Sequence, residues 1–265
     1  MRRIDLTIWT TLVWSVLLFC LTTFNGFAQD KTTLNGLPHD NTTISAPARR
    51  NPPWKTGERF VYRVEAKGIP VGSQVLTVVG ETLFEGHPVY HIKMELSSYA
   101  ALSLLYKFHE VDELFLDMTT LHPRYIKREI QEKKKLKTEE IRFFIEEKRG
   151  ELVQDKNGKV RKKFFPMDKP CLENLSIVYY LRSRPWRREE GSILFLTSDG
   201  PQVYNLSYAG TEEVSAPYRK MEADRIEDEN ARITVWISKD EGAIPVAIRA
   251  ATDFGVINSR LVEMK

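Results

Sequence analysis

Residues 57–79 read GERFVYRVEAKGIPVGSQVLTVV. Within 58–66, Phe60, Tyr62, Val64 and Ala66 fall on one side of a two-residue period, with Arg59, Arg63 and Glu65 on the other. Successive side chains of a strand point to opposite faces, so this pattern predicts a strand with one face in a core and one in water. Gly68, Pro70 and Gly72 interrupt the period, and the Val-, Leu- and Thr-rich run 73–79 resumes it. Two strands joined by a glycine-proline corner open the folded part of the chain.

Working outward toward the C-terminus, Glu85-Gly86-His87-Pro88 is turn chemistry, and 89–97 alternates again, with Tyr90, Ile92, Met94 and Leu96 against His91, Lys93 and Glu95. Three consecutive strands with short links favour an antiparallel meander. Leu102, Leu105 and Tyr106 sit at helical spacing, which predicts a short helix or bend over 98–106. Strand character returns over 108–116 and, after the break at Leu121-His122-Pro123, over 125–130. Ile141, Phe143 and Ile145 alternate, and Asn157-Gly158 is a two-residue hairpin signal. One stretch has true helical spacing: residues 172–182, LENLSIVYYLR, between Pro170 and Pro185. Hairpins are then expected around Ser198-Asp199-Gly200-Pro201, between the runs 219–226 and 231–238, and at Lys239-Asp240-Glu241-Gly242. The last strand follows Phe254-Gly255.

About twelve strands with no alternation of strands and helices predict a mainly β fold. The expected architecture is a large curved antiparallel sheet, a half-barrel or open barrel, packed around one amphipathic helix that fills or caps its concave side. The hydrophobic share of 42% is enough for a core, and the whole of 54–265 is expected to form a single β-rich domain.

Upstream of that domain, Arg2 and Arg3 precede a run, 6–24, with no charged residue, and Gly26-Phe27-Ala28 supplies small residues for cleavage. Residues 1–28 therefore read as a secretory signal peptide cut after Ala28, or as an uncleaved N-terminal anchor, since 19 apolar-rich residues are long enough to span. In both readings the rest crosses the inner membrane, so the expected location is periplasmic or secreted. Membrane contact is expected only through that segment if it is uncleaved. Residues 29–53, rich in Asn, Thr, Pro, Ser and Ala, read as a flexible tether, with Trp54 the first residue pinned to the domain.

Net charge is +3, which gives no reason to expect a nucleic-acid partner. Residues 123–165 are the exception, with fifteen Lys and Arg against eight Asp and Glu. An electropositive surface is one reading, and solvated strand faces carrying charge for solubility and edge protection is the other. Of the two cysteines, Cys20 lies in the apolar run, which leaves Cys171 without a disulfide partner in the exported domain. Packing is the first expectation for Cys171, and an activated thiolate at a helix start the second.

The ordered set Gly57-Glu58 with Tyr62, Gly68-Ile69-Pro70-Val71-Gly72, Asp112, and Leu121-His122-Pro123 resembles the bacterial exported domain-of-unknown-function family 3108. So do Tyr179-Tyr180-Leu181-Arg182, Val235-Trp236-Ile237-Ser238-Lys239-Asp240 with Ile244-Pro245-Val246, and Phe254-Gly255. Cys171-Leu172-Glu173-Asn174 departs from the family's expected helix entry. The resemblance implies an envelope protein built on a curved antiparallel sheet, and implies no catalytic residues.

The residues point to no reaction of their own. There is no nucleophile elbow, zinc-protease helix or phosphate loop, and His87 and His91, four apart on a strand, stand about 13 Å apart, too far to share a metal. No catalytic residue, metal or cofactor is therefore expected. The acids Glu110, Asp112 and Glu113, and Glu227, Asp228 and Glu229, are expected in solvated loops. A paired-carboxylate hydrolase is the enzymatic alternative. The leading expectation is a non-catalytic binding module for a lipid-like or amphipathic ligand, or an envelope assembly partner; a purely structural interaction protein is the further alternative. Phe60, Tyr62, Tyr90, Phe143, Tyr179 and Tyr180 are the candidate ligand-lining residues, and ordinary core packing is the competing reading of their spacing.

Overall fold

The computed structural model describes residues 52–265 except 104–106, 170, 185–189, 198–199, 218, 229, 231 and 253–254. The expected signal or anchor segment and nearly all of the tether therefore lie outside the described residues.

The first half is an eight-strand meander: β1 (Arg59–Ala66), β2 (Ile69–Phe84), β3 (His87–Ser98), β4 (Phe108–Asp117), β5 (Pro123–Glu132), β6 (Lys135–Phe144), β7 (Arg149–Lys156) and β8 (Lys159–Pro166). A single-turn helix, α1 (Ala100–Ser103), bridges β3 and β4. The second half holds β9 (Cys171–Leu172), α2 (Ser176–Arg182), β10 (Glu190–Thr197), β11 (Gly200–Ala216), β12 (Arg219–Asp228), β13 (Ile233–Ser238), β14 (Pro245–Thr252) and β15 (Gly255–Met264). Among the described residues, fifteen strands belong to one sheet with the order β8 through β1, then β15 down to β9. The first and last strands thus pair at the middle, from Phe60 opposite Met264 to Ala66 opposite Ile257. The free edges are β8 and β9, and β8 comes close to β11, so the sheet curls back on itself as an open barrel.

Local chemistry explains the meander. At Asn157-Gly158 both residues have positive φ, 55° and 80°, the left-handed pair whose twist matches that of two flanking strands. The Lys67-Gly68 and Glu85-Gly86 links repeat the geometry. In the corner after β1, Val71 is an extra residue: Val64 faces Gly72 while Glu65 faces Pro70. A Cβ on Gly72 would lie 2.4 Å from the Ser97 carbonyl oxygen, so only glycine lets β3 approach the bulge.

The alternation in β1 is as the sequence predicts, with Phe60, Tyr62, Val64 and Ala66 buried. Two expectations need correction. Among the described residues there are fifteen strands rather than about twelve: β8 is exposed at all but one of its residues and so shows no clean alternation, and the two-residue β9 lies where the helix was expected to begin. The helix begins at Ser176, not Leu172, because Cys171 and Leu172 form a short parallel pair with Leu194 and Phe195 of β10.

All seven residues of α2 are buried. A helix this short has no stability of its own, so packing holds it on the concave side. Each fully buried Ile, Leu or Val contributes about 1.5–3 kcal/mol relative to an exposed one. At its start the Glu173 carboxylate accepts the backbone N–H groups of Leu175 and Ser176, at 2.9 and 2.8 Å. Trp54 is indeed pinned, edge-on to Tyr90 and Tyr179 with ring centres 5.6 and 5.2 Å away.

Candidate binding site on the concave face

The inward parity of β4 runs Phe108, Glu110, Asp112, Leu114, Leu116, so two acids sit on the face that otherwise makes the core. Register then aligns them with charged residues of neighbouring strands. Asp112 faces Arg128 on β5, Arg128 faces Glu139 on β6, and Glu139 faces Gln154 on β7. In the other direction Asp112 faces Met94 on β3, and Met94 faces Leu76 on β2. A single cross-strand row therefore passes from apolar to charged.

The charged end is closely bonded. Arg128 donates to both oxygens of Asp112 at 2.9–3.0 Å, to Glu139 at 3.3 Å and to Glu173 at 3.1 Å. Its Nε also lies 3.1 Å from Glu110. Lys137 pairs with Glu139, which accepts from Gln154 at 2.8 Å. Burial pushes the Glu110 carboxyl up to about 8, and the neighbouring Asp112 charge adds to the rise while Arg128 opposes it. Asp112 is raised too, mainly by burial. Glu139 goes the other way: its burial is outweighed by Arg128 and Lys137, which hold it low. Burial thus favours a proton on Glu110, which hydrogen-bonds to Asp112.

Between this cluster, α2 and the C-terminal strands lies a cavity of about 220 Å³. Leu76, Met94, Ile177, Val178, Val235 and Ile248 supply apolar walls, and Glu110, Asp112, Arg128, Lys137 and Glu139 the polar one. Asn174, ahead of α2, is an exposed residue of the lining, and Gln74, Leu96, Ile233 and Ile248 are half-buried. The expectation that Glu110 and Asp112 lie in solvated loops is therefore wrong. They are 8% and 1% exposed and face the cavity, whereas Glu113 is half-buried on the other parity. Asp228 is buried as well, accepting the backbone N–H of Ile233 at 2.7 Å and of Asn230 at 3.3 Å to brace the β12–β13 turn; Glu229 lies outside the described residues.

The six aromatics singled out in the sequence are all buried in the core, and the cavity is bounded by other residues. Tyr62 donates its hydroxyl to the Pro245 carbonyl at 2.8 Å, and Phe60 lies under the Arg182 guanidinium. Tyr90 and Tyr179 flank Trp54, Tyr180 lies under Arg184, and Phe143 packs edge-on to Phe165. Cys171 is no activated thiol: it is 2% exposed in a strand, and burial, with the Glu173 charge behind it, pushes it up to about 12. Among the described residues no group of three His, Cys, Asp or Glu side chains is placed to hold a metal ion.

Arg128 and Lys137 were hidden within the basic stretch read as surface. Their parity with Ile126, Ile130, Ile141 and Phe143 was the available signal.

Comparison with known proteins bears on the family. No curated protein matches the chain. Among solved structures, the crystal structure of a β-barrel-like protein of domain of unknown function DUF1849 from Brucella abortus is similar over 79% of this chain and 97% of its own, with 6% identity and a TM-score of 0.48. A "putative lipoprotein" from Parabacteroides distasonis is similar over 85% of this chain and 100% of its own, with 10% identity and a TM-score of 0.28. The family model described as protein of unknown function, DUF3108, matches residues 61–262, which include every strand of the open barrel at least in part and the whole concave cavity. The chain belongs to the DUF3108 family.

Proposed function

We propose that this protein is an exported, non-catalytic binding module that holds a lipid-like or amphipathic ligand on the concave face of its sheet. The observation that carries the reading is the cavity of about 220 Å³ with apolar walls and one charged wall. Pockets for drug-sized ligands span about 300–1,000 Å³, so this one suits a single narrow chain rather than a two-tailed lipid or a bulky ring system. The charged run-in at Arg2 and Arg3, the uncharged stretch 6–24 and the small residues before position 29 support export to the periplasm or beyond. No helix among the described residues is long and apolar enough to cross a membrane. Native mass spectrometry of the purified protein, followed by solvent extraction, tests the reading. A copurifying single-chain amphiphile is expected; an empty protein that also takes up no amphiphilic probe sinks it.

The hydrolase alternative draws on one observation, the buried Glu110–Asp112 pair facing a cavity. Its geometry is unfavourable. Retaining and inverting glycosidases hold their carboxyls about 5–9.5 Å apart, whereas these two share a hydrogen bond and Asp112 is engaged by Arg128 on both oxygens.

A further inference from the structure

The polar wall of the cavity is unevenly charged. Glu110, Asp112 and Glu139 face it with Arg128 and Lys137, and Glu173 reaches Arg128 from the start of α2. Four carboxylates therefore share two cations, and Arg128 alone touches all four at 2.9–3.3 Å. Every one of these side chains is at most 13% exposed. A surplus of buried negative charge is costly, and a proton on one carboxyl relieves it. The rest of the lining adds no counter-charge: Leu96 and Gln74 come from β3 and β2, and Ile233, Val235, Ile248, Ile257 and Ser259 from the C-terminal strands.

Given the binding-module reading, we infer that the ligand is a single-chain amphiphile with a protonated amine head, whose ammonium sits beside Glu110 and takes the place of its proton. The alkyl chain lies along Met94, Leu76 and the α2 residues Ile177 and Val178. A carboxylate or phosphate head would instead add negative charge to a wall that already holds more carboxyl groups than cations. The exchange balances: the ammonium enters charged, Glu110 releases one proton to solvent, and the cluster keeps the same total charge. The charged groups around Glu110 are Asp112 on its own strand, Arg128 on β5, Lys137 and Glu139 on β6, and Glu173 ahead of α2. Burial holds the Glu110 proton up to about pH 8, so exchange becomes easier as pH approaches that value.

Isothermal titration calorimetry on the full chain tests the inference, with decylamine, decanoate and decanol as probes, each below its micelle concentration. Decylamine is expected to bind at least about tenfold tighter than decanoate or decanol at pH 7, a difference of about 1.4 kcal/mol. Its affinity should rise by up to about tenfold per pH unit from 6 toward 8 and level off above, with about one proton released. Glu110→Gln, with its fold checked by circular dichroism, should remove both the pH slope and the proton release. Lys137→Met should move preference further toward the amine, an arm that survives if Glu110→Gln folds poorly. Decanoate or decanol binding as tightly as decylamine, or no proton release, overturns the amine inference and leaves the cavity reading standing. Failure of all three probes to bind, or binding unchanged in a cavity-filling Leu96→Trp variant, overturns the cavity reading itself.

Discussion

Arg182 at the end of α2 grips Glu58, 124 positions earlier and just ahead of β1, through two contacts of 2.6 and 2.9 Å. The guanidinium is fully buried, donates also to the carbonyls of Ala243 and Gly242, and lies over the rings of Trp54, Phe60 and Tyr179. Both edge and face are occupied. Arg182→Ala strands Glu58 and two carbonyls, and is expected to cost about 3–5 kcal/mol in urea unfolding. A loss below about 1 kcal/mol would show the grip to be dispensable.

Tyr62 is fully buried, so Tyr62→Ala should cost about 3–5 kcal/mol as a large aromatic truncation. Tyr62→Phe keeps the ring but leaves the Pro245 carbonyl without its donor, for about 1–3 kcal/mol. Equal losses in the two variants would mean that the hydroxyl, not the ring, matters, contrary to the packing described.

Gly150 lies directly opposite Phe165, and a Cβ there would stand 2.1 Å from the ring. Gly150→Ala should therefore destabilise by about 1–3 kcal/mol through overpacking. In a Phe165→Leu background, where the ring is gone, that cost should largely vanish. A fully additive double variant would place the strain elsewhere.

Stability should depend on pH through Glu110. Its folded-state value, about 8, lies above the unfolded one of about 4.3. Between these values the native state holds a proton that the unfolded chain does not. Its contribution is therefore complete below about pH 4.3, declines as pH rises toward 8, and is gone above it. Glu110→Gln should flatten this part of the profile, read as the difference between the two chains in urea midpoints from pH 5 to 8.5. Parallel profiles would contradict the assignment.

Cys171, its thiol pushed up to about 12, should resist iodoacetamide at pH 8 in the folded protein and react quickly in urea. A Cys20→Ser chain isolates the signal. Rapid native labelling, quantified by mass spectrometry, would contradict the burial.

Much of the architecture was legible because alternation and turn chemistry are local. Phe60 through Ala66 declared their face, and Asn157-Gly158 declared a hairpin. The start of α2 was misread at Leu172 because Leu172 falls one helical step before Leu175, and a two-residue parallel pairing is too short to show a period of its own. The site was half legible. Glu110 and Asp112 share parity with Phe108 and Leu114, and Arg128 with Ile126 and Ile130. What no local pattern carries is the register that sets Asp112, Arg128 and Glu139 in one row across three strands, because register depends on the exact length and geometry of the links 117–123 and 132–135, which alternation does not specify. The aromatics drew attention by size, yet the cavity formed where the row turns from Met94 to Asp112.

The pairing of β1 with β15 joins the two meanders along their whole length, with reciprocal backbone bonds between Arg59 and Lys265 at its far end. Most hairpins here can zip as soon as their residues exist, but this contact waits for some two hundred residues to emerge and find each other, the kind of long loop closure that slows folding. Until then each half presents a raw strand edge where the finished sheet is continuous. A truncation removing β15 would therefore not fray a rim. It would open a slit down the middle of the sheet, and expose β1 and β14 to any passing strand.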